Sequence, residues 1–429
     1  MLRLTSPSLS LTLALFAVAP SAFGQAEAPE PPPPLQPWYD AVELGAFVDA
    51  YYNVNWAFPK PQDGSGVPTR YDARQTGFAL SWVGLDASFA PEPVGGTLSL
   101  RFGPTATEHA GADAGTALEQ VAQAFASWRP GGSHGMLRLD FGKFETIYGA
   151  EVPESHHNAT YTRGVVWSTQ PIFHTGLRAN LELMPELGVS ALLVNGINRS
   201  EDNNVGKTFG LQATLRPNDW LLAKVGWLGG PEQDDFATIS CPADQAYSNA
   251  TGACEDKPGA PGGSETVDRG GANDFEAWKH LVDVVVAVTP TPELSLLANF
   301  DYGTEGVRSI GPGLDTDVET ESWYGGMLTA RYAFTEVFAV ALRGEYLKDE
   351  HGAVTELVEA SGAHVTNAEL ATATLTLEAA PTENLLFRLE QRGDFLLSGS
   401  PSKNVYRNEE RGAEDQVHTT TLGVVVKTD

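Results

Sequence analysis

Between positions 145 and 170 the sequence crowds Glu145, Glu151, Glu154, His156, His157 and Arg163 into one segment. Tandem imidazoles beside carboxylates are the ingredients of a metal site or a pH sensor. No second histidine stands at a chelating spacing, so the expected reading is loop-surface histidines and no metal. A second motif, Gly131-Gly132-Ser133-His134-Gly135, fits G-x-S-x-G, which supports nucleophilic catalysis only on a sharp turn from strand into helix. Here MLRLDF follows at once in strand phase, so the glycines are expected to turn a hairpin, and no enzyme is expected. The third pattern is charge on alternate residues. In NLLFRLEQRGDF (384–395), Arg388, Glu390, Arg392 and Asp394 share one face of a strand and Leu385, Phe387 and Leu389 the other. A soluble sandwich would bury the apolar row. A membrane barrel turns that row to lipid and the charges into a wet lumen.

The rest of the chain favours the barrel. Residues 1–24 carry Arg3, the apolar run LTLALFAVA and small residues at Ala22 and Gly24, the layout of a secretory signal peptide. The run is too short for a spanning helix, the competing reading, which needs roughly 20 apolar residues. Residues 25–40 then read as a proline-rich extended linker. No later stretch is long and apolar enough for a helical span, so membrane association must use strands. A net charge of −28 argues against nucleic acid, which selects Lys/Arg clusters. Cys241 and Cys254, the only cysteines, lie in a Gly/Asp/Pro-rich stretch; an exported protein would join them in a loop disulfide, with free thiols as the alternative and no zinc expected.

From residue 41 onward the dominant period is two. VELGAFVDAYYNVNW (42–56) sets Val42, Leu44, Ala46, Val48, Ala50, Tyr52 and Val54 against Glu43, Asp49, Asn53 and Asn55. Further strands are expected at 77–90, 96–104, 119–129, 136–144, 171–184, 187–195, 206–216, 219–228, 279–289, 293–303, 321–334, 337–348, 368–380, 384–396 and 415–427, about sixteen in all. The apolar residues of 77–90 and 119–129 do not keep one phase. Short connectors such as MPE, PND, FTE and PTE alternate with long ones at 57–76, 105–118, 145–170, 196–205, 229–278, 304–320, 349–367 and 397–414. Short turn, long loop, short turn is the grammar of an all-β, antiparallel outer-membrane barrel with tight periplasmic turns and extended external loops. Aromatics agree: Tyr52, Trp56, Trp227, Phe300, Tyr302 and Tyr346 stand at expected outer ends, and Phe89, Trp128, Trp220, Phe334 and Phe338 beside short turns.

The run LRLDFGKFETIYGAEVPESHHNATYTRG (137–164), with its GKF-x-T-x-x-G-x-E core and Asn158, together with the opening VELGAFVDAYYNVNW and the closing TTTLGVVV, resembles the OmpL-like β-barrel porin family. The likeness extends over nearly the whole mature chain. It implies a diffusion channel in the bacterial outer membrane. One departure is the ending VVVKTD, which lacks the terminal Phe or Trp of many such barrels.

A pore needs a charged, wet interior. The inward set is expected to include Arg101, Arg138, Asp140, Arg178, Glu182, Asp283, Asp301, Arg331, Arg343, Glu345, Arg388, Glu390, Arg392 and Asp394. Arg–carboxylate pairs between neighbouring strands would neutralise part of it. The 145–170 loop is the expected constriction. Charge in the acidic 229–278 loop is screened beyond about 8 Å, so Glu151 and Glu154, opposite the Arg rows, are expected to give a weak cation preference. The partners implied are membrane lipid and lipopolysaccharide, small polar solutes or ions, and a second and third copy of the chain; no cofactor is implied. A structural or adhesive barrel is the competing class, marked by a lumen filled with apolar or tightly paired side chains. A plugged transporter would need about 22 strands, more chain than is present.

Overall fold

In strands whose successive side chains point to opposite sides, the charged and the apolar rows must separate. They do so in the computed structural model, which describes residues 41–59, 76–248, 253–268, 275–310, 316–358, 364–402, 405–408 and 412–428. The signal peptide expected at 1–24 and the linker expected at 25–40 lie outside the described residues. Sixteen strands form one closed antiparallel barrel. They are β1 (Glu43–Asn55), β2 (Gly77–Phe89), β3 (Val94–Phe102), β4 (Val121–Trp128), β5 (Leu137–Glu145), β6 (Phe173–Met184), β7 (Leu187–Val194) and β8 (Thr208–Asn218). The second half holds β9 (Leu221–Gly230), β10 (Lys279–Thr291), β11 (Leu294–Ile310), β12 (Thr316–Ala333), β13 (Phe338–Asp349), β14 (Thr366–Thr382), β15 (Leu385–Ser400) and β16 (Gln416–Lys427). Each strand pairs with its sequence neighbours, and β16 closes on β1 from Phe47 opposite Lys427 to Asn55 opposite Thr419. Closure leaves no unpaired sheet edge.

On β15 the outward Leu389 is 46% exposed, while Arg388 and Glu390 are 4% and 1% exposed. On β1, Leu44 and Val48 point out and Asp49, Asn53 and Asn55 point in. The phase loss in 77–90 and 119–129 has a physical cause. The β1–β2 register slips between Asp49 and Ala50, so that Ser81 and Trp82 are buried in succession, and Phe78 and Leu80 before the slip share the outer surface with Leu85 and Phe89 after it. A similar slip falls between Ser99 and Leu100 in the β3–β4 pairing. Each bulge inserts one residue and inverts the side-chain phase.

Two loops depart from expectation. Residues 304–310 and 316–320 of the stretch read as a loop continue strands β11 and β12, which pair without interruption from Leu294 opposite Tyr332 to Ile310 opposite Thr316. Beyond the apolar belt nothing imposes alternation, and backbone pairing carries the ribbon onward. Loop 229–278 is built from two small hairpins, Phe236–Cys241 with Gly263–Asp268 and Gln245–Ser248 with Ala253–Asp256. Cys241 and Cys254 form a disulfide between them, with Cα atoms 5.6 Å apart. It closes only loop chain, so changing both cysteines to Ser should leave the thermal unfolding of the barrel nearly unchanged while loosening the loop against protease. A large fall in folding yield would place this loop in the folding core.

The bases of loops 195–207 and 231–278 meet at Glu232, which accepts hydrogen bonds from the Ile197 amide (2.9 Å) and the Thr208 hydroxyl (2.5 Å). Burial pushes its carboxyl up from 4.5 to about 7. The folded state therefore holds a proton that the unfolded chain releases earlier. The contribution to stability is complete below pH 4.5 and is lost as pH rises through about 7, on the order of 3 kcal/mol in all. Amide exchange at Ile197 should accelerate across that window in the wild type and not in Glu232→Gln. Identical pH profiles would refute the assignment.

Candidate functional site

The 146–172 loop does not stay at the long-loop rim. On its outward leg Ile147 accepts from Gln212 Nε2 of β8 (2.5 Å), the Tyr148 hydroxyl donates to the Trp227 carbonyl of β9 (2.8 Å), and the Ala150 amide donates to Asn299 Oδ1 of β11 (3.2 Å). Across the lumen, Arg101 Nε of β3 donates to Glu154 Oε1 (2.9 Å) and the Ser155 hydroxyl donates to Asp49 Oδ2 of β1 (2.6 Å). On the return leg the Tyr161 amide donates to Glu390 of β15 (2.7 Å), the Val166 amide to Glu345 of β13 (3.2 Å) and the Thr169 hydroxyl to Asp301 of β11 (2.5 Å). One segment is therefore tied to facing walls and lies across the interior.

Its anchors are the alternating charges seen in the sequence. Arg343 donates to Glu151 (2.5 Å) and lies 3.2 Å from Glu345. Arg388 donates to Glu378 (2.8 Å) and to the backbone carbonyls of Ser155, Asn158 (2.6 Å) and Thr160 (3.1 Å). Arg392 pairs with Asp394 (2.6 Å) and donates to the Arg163 carbonyl (2.5 Å). A guanidinium can do this because its donors form a rigid fork, satisfying several acceptors at once. Ion pairs of this kind hold geometry, because separating the partners would strand a buried charge.

The remaining expected residues are placed as follows. Arg178 and Arg138 both approach Asp140, at 2.9 and 3.3 Å. Arg331 pairs with Glu378 (2.5 Å), and Arg129 meets Glu182 at 3.6 Å. Asp283 and Asp301 stand opposite each other on β10 and β11, with Asn299 Nδ2 donating to both. Glu145 ends β5 and accepts from Gln123 (3.0 Å). His156 packs on Phe47 with ring centroids 4.9 Å apart, His157 is exposed, and Arg163 is buried. Ser133 of the G-x-S-x-G run is exposed on the turn between β4 and β5, where Gly131 takes a left-handed φ of 89°.

The expected free field between Glu151 and Glu154 and the Arg rows differs from the geometry. Glu151 is paired to Arg343, and Glu154 to Arg101 of β3, a residue that is also paired to Asp86 (3.0 Å). The sequence did not single out Asp86, Glu378 or the buried Lys143–Asp113 pair (2.7 Å), and it placed Asp49 only on the polar face of β1 and Asn158 only in the 137–164 run. Asp49 and Glu378 were in the inward phase of their strands, a signal that was available. Around the loop, apolar clusters also fill part of the interior: Phe144, Tyr148, Leu192, Leu228 and Leu281 on one side, and Val165, Leu347, Leu370 and Leu396 on another.

Among the described residues, cavities flank the loop on both sides. One of about 390 Å³, toward the long-loop end, includes Glu108, Trp167, Lys279 and Trp323. Two lie toward the short turns: one of about 470 Å³ lined in part by His156, His157, Arg331 and Arg388, and one of about 380 Å³ lined in part by Arg129, Arg138, Arg216 and Lys224.

A closed sixteen-stranded barrel with an apolar outer surface, a charged interior and a loop folded inside it has the architecture of outer-membrane porins. The family model described as "Putative beta-barrel porin-2, OmpL-like" matches residues 41–427, and the chain belongs to that family. Among solved structures of the same fold is OmpF of Salmonella typhi, 12% identical, with 91% of this chain and 99% of that one covered and a TM-score of 0.52. OmpT of Vibrio cholerae in its trimer form is 12% identical over 90% and 99% of the two chains, with a TM-score of 0.51. An anion-selective porin from Comamonas acidovorans is 10% identical over 90% and 99%, also at 0.51. No curated protein sequence matches the chain.

Proposed function

We propose that this chain forms a water-filled channel for passive diffusion of small polar solutes and ions across the bacterial outer membrane, and has no enzymatic role. The observation that carries the reading is the inward-folded 146–172 loop, held across a charged lumen by Arg101, Arg343, Arg388 and Arg392, with cavities on both sides of it. In this reading the leader 1–24 directs export, the outward apolar rows meet lipid and lipopolysaccharide, and three copies assemble, as in the trimer form of the Vibrio cholerae protein. The ion pairing removes the ground for a cation preference set by Glu151 and Glu154, since both carboxylates are neutralised in place.

A structural or adhesive barrel without significant transport is the second reading. It is favoured by the density of ion pairs and the apolar clusters around the loop. The two separate in a planar-bilayer recording of the purified mature protein. Stepwise conductance increments support the channel. Membrane insertion without conductance supports the structural barrel, and recovery as a soluble monomer without detergent would refute both.

A further inference from the structure

Most inward arginines of this barrel are accounted for by their partners. Arg101, Arg178, Arg343, Arg388 and Arg392 each hold a carboxylate within 3.0 Å. Four cations on the inner wall between β4 and β9 are not accounted for in this way. Arg138 reaches only Asp140, at 3.3 Å, and that carboxylate already accepts from Arg178, Ser127 and Asn180. Arg129 meets Glu182 at 3.6 Å, a carboxylate whose side chain is 71% exposed. Arg216 on β8, exposed near the short-turn end, and Lys224 on β9 make no ion pair within 4.0 Å among the described residues, although Asp283 attracts Lys224 from a greater distance. The Nε atoms of Arg129 and Arg138 are enclosed and have no hydrogen-bond acceptor in the protein. All four side chains converge on the cavity of about 380 Å³ beneath the start of the 146–172 loop, where Glu182 is the one acidic residue of the lining.

Like charges gathered on one wall repel, and the two enclosed Nε donors without acceptors add to the cost. Packing does not explain the cluster, because the same wall could carry neutral side chains. An oxyanion would satisfy it: guanidinium forks match the oxygens of phosphate and carboxylate groups, an ammonium adds a mobile point charge, and the Thr214 hydroxyl on the same lining adds a neutral donor. A monovalent halide has no directed lone-pair geometry for such forks, which favours oxyanions, and four cations against the carboxylates of Glu182 and Asp140 favour an oxyanion of more than one negative charge.

We propose that this cavity is a binding site for a small divalent oxyanion, with inorganic phosphate the simplest occupant, on the short-turn side of the loop. The site rests on the channel reading for its access to solute, while binding itself can be measured without any current. Phosphate titrated into the detergent-solubilised protein should give saturable heat, and chloride at the same ionic strength should not. Arg138→Gln, Arg216→Gln and Lys224→Gln, each checked for folding by heat-modifiable mobility on SDS gels, should weaken that binding about tenfold apiece, the loss expected for one charged hydrogen bond. Glu182→Gln, which removes the acidic residue, should strengthen it. If folded wild-type protein takes up no phosphate saturably, or binds it equally in all three cation variants, the site is refuted, whatever the bilayer shows. Saturable, variant-sensitive binding in a protein that gives no conductance would keep the site and refute the channel.

Discussion

Arg343→Met is expected to lose about 3–5 kcal/mol of stability, the cost of leaving buried charge without its partner. The effect is large because one guanidinium neutralises two carboxylates, Glu151 of the inner loop and Glu345 of its own strand, and also donates to the Thr160 hydroxyl and the Thr162 carbonyl. Its removal leaves two buried acids without their shared cation. Changing Glu151 to Gln in the same chain should recover part of the loss, since replacing both members of a pair avoids the stranded charge. Urea unfolding in detergent of the wild type, the two single variants and the double variant reads this coupling. Additive effects would show that the pair is not the unit described.

Arg388→Ala is expected to free the tip of the inner loop and raise single-channel conductance, with a stability loss of about 3 kcal/mol or more. Arg388 is the β15 residue that holds the loop backbone at its tip, at Ser155, Asn158 and Thr160, while Glu390 and Arg392 of the same strand hold the return leg at Tyr161 and Arg163. Truncation strands those carbonyls and leaves Glu378 with Arg331 alone. The loop then loses its position while the barrel ladder, which is backbone pairing, persists. Conductance unchanged from wild type would show that the tip does not limit flow.

The sequence showed the barrel because lipid and water impose opposite demands on alternate residues, and NLLFRLEQRGDF records both. The row Arg388, Glu390, Arg392, Asp394 was readable as inward for that reason, as was Asp49. Where a bulge inverts the phase, at Ser81–Trp82, the pattern failed locally. Where the strands pass beyond the apolar belt, in β11 and β12, it gave no signal at all. The site was legible only as a list of members. That Arg343 finds Glu151, Arg101 finds Glu154 and Lys143 finds Asp113 depends on register and on the path of a loop with no repeating pattern, so no spacing in the sequence could assign those partners.

In the proposed channel, the 146–172 loop, pinned across the lumen, sets the size of an open pathway. Single-channel conductance in planar bilayers of the wild type against a chain in which residues 150–168 are replaced by a short Gly-Ser linker tests it most directly. Discrete small openings are expected in the wild type and clearly larger ones in the linker variant. Equal conductance in the two, or large openings already in the wild type, would contradict it.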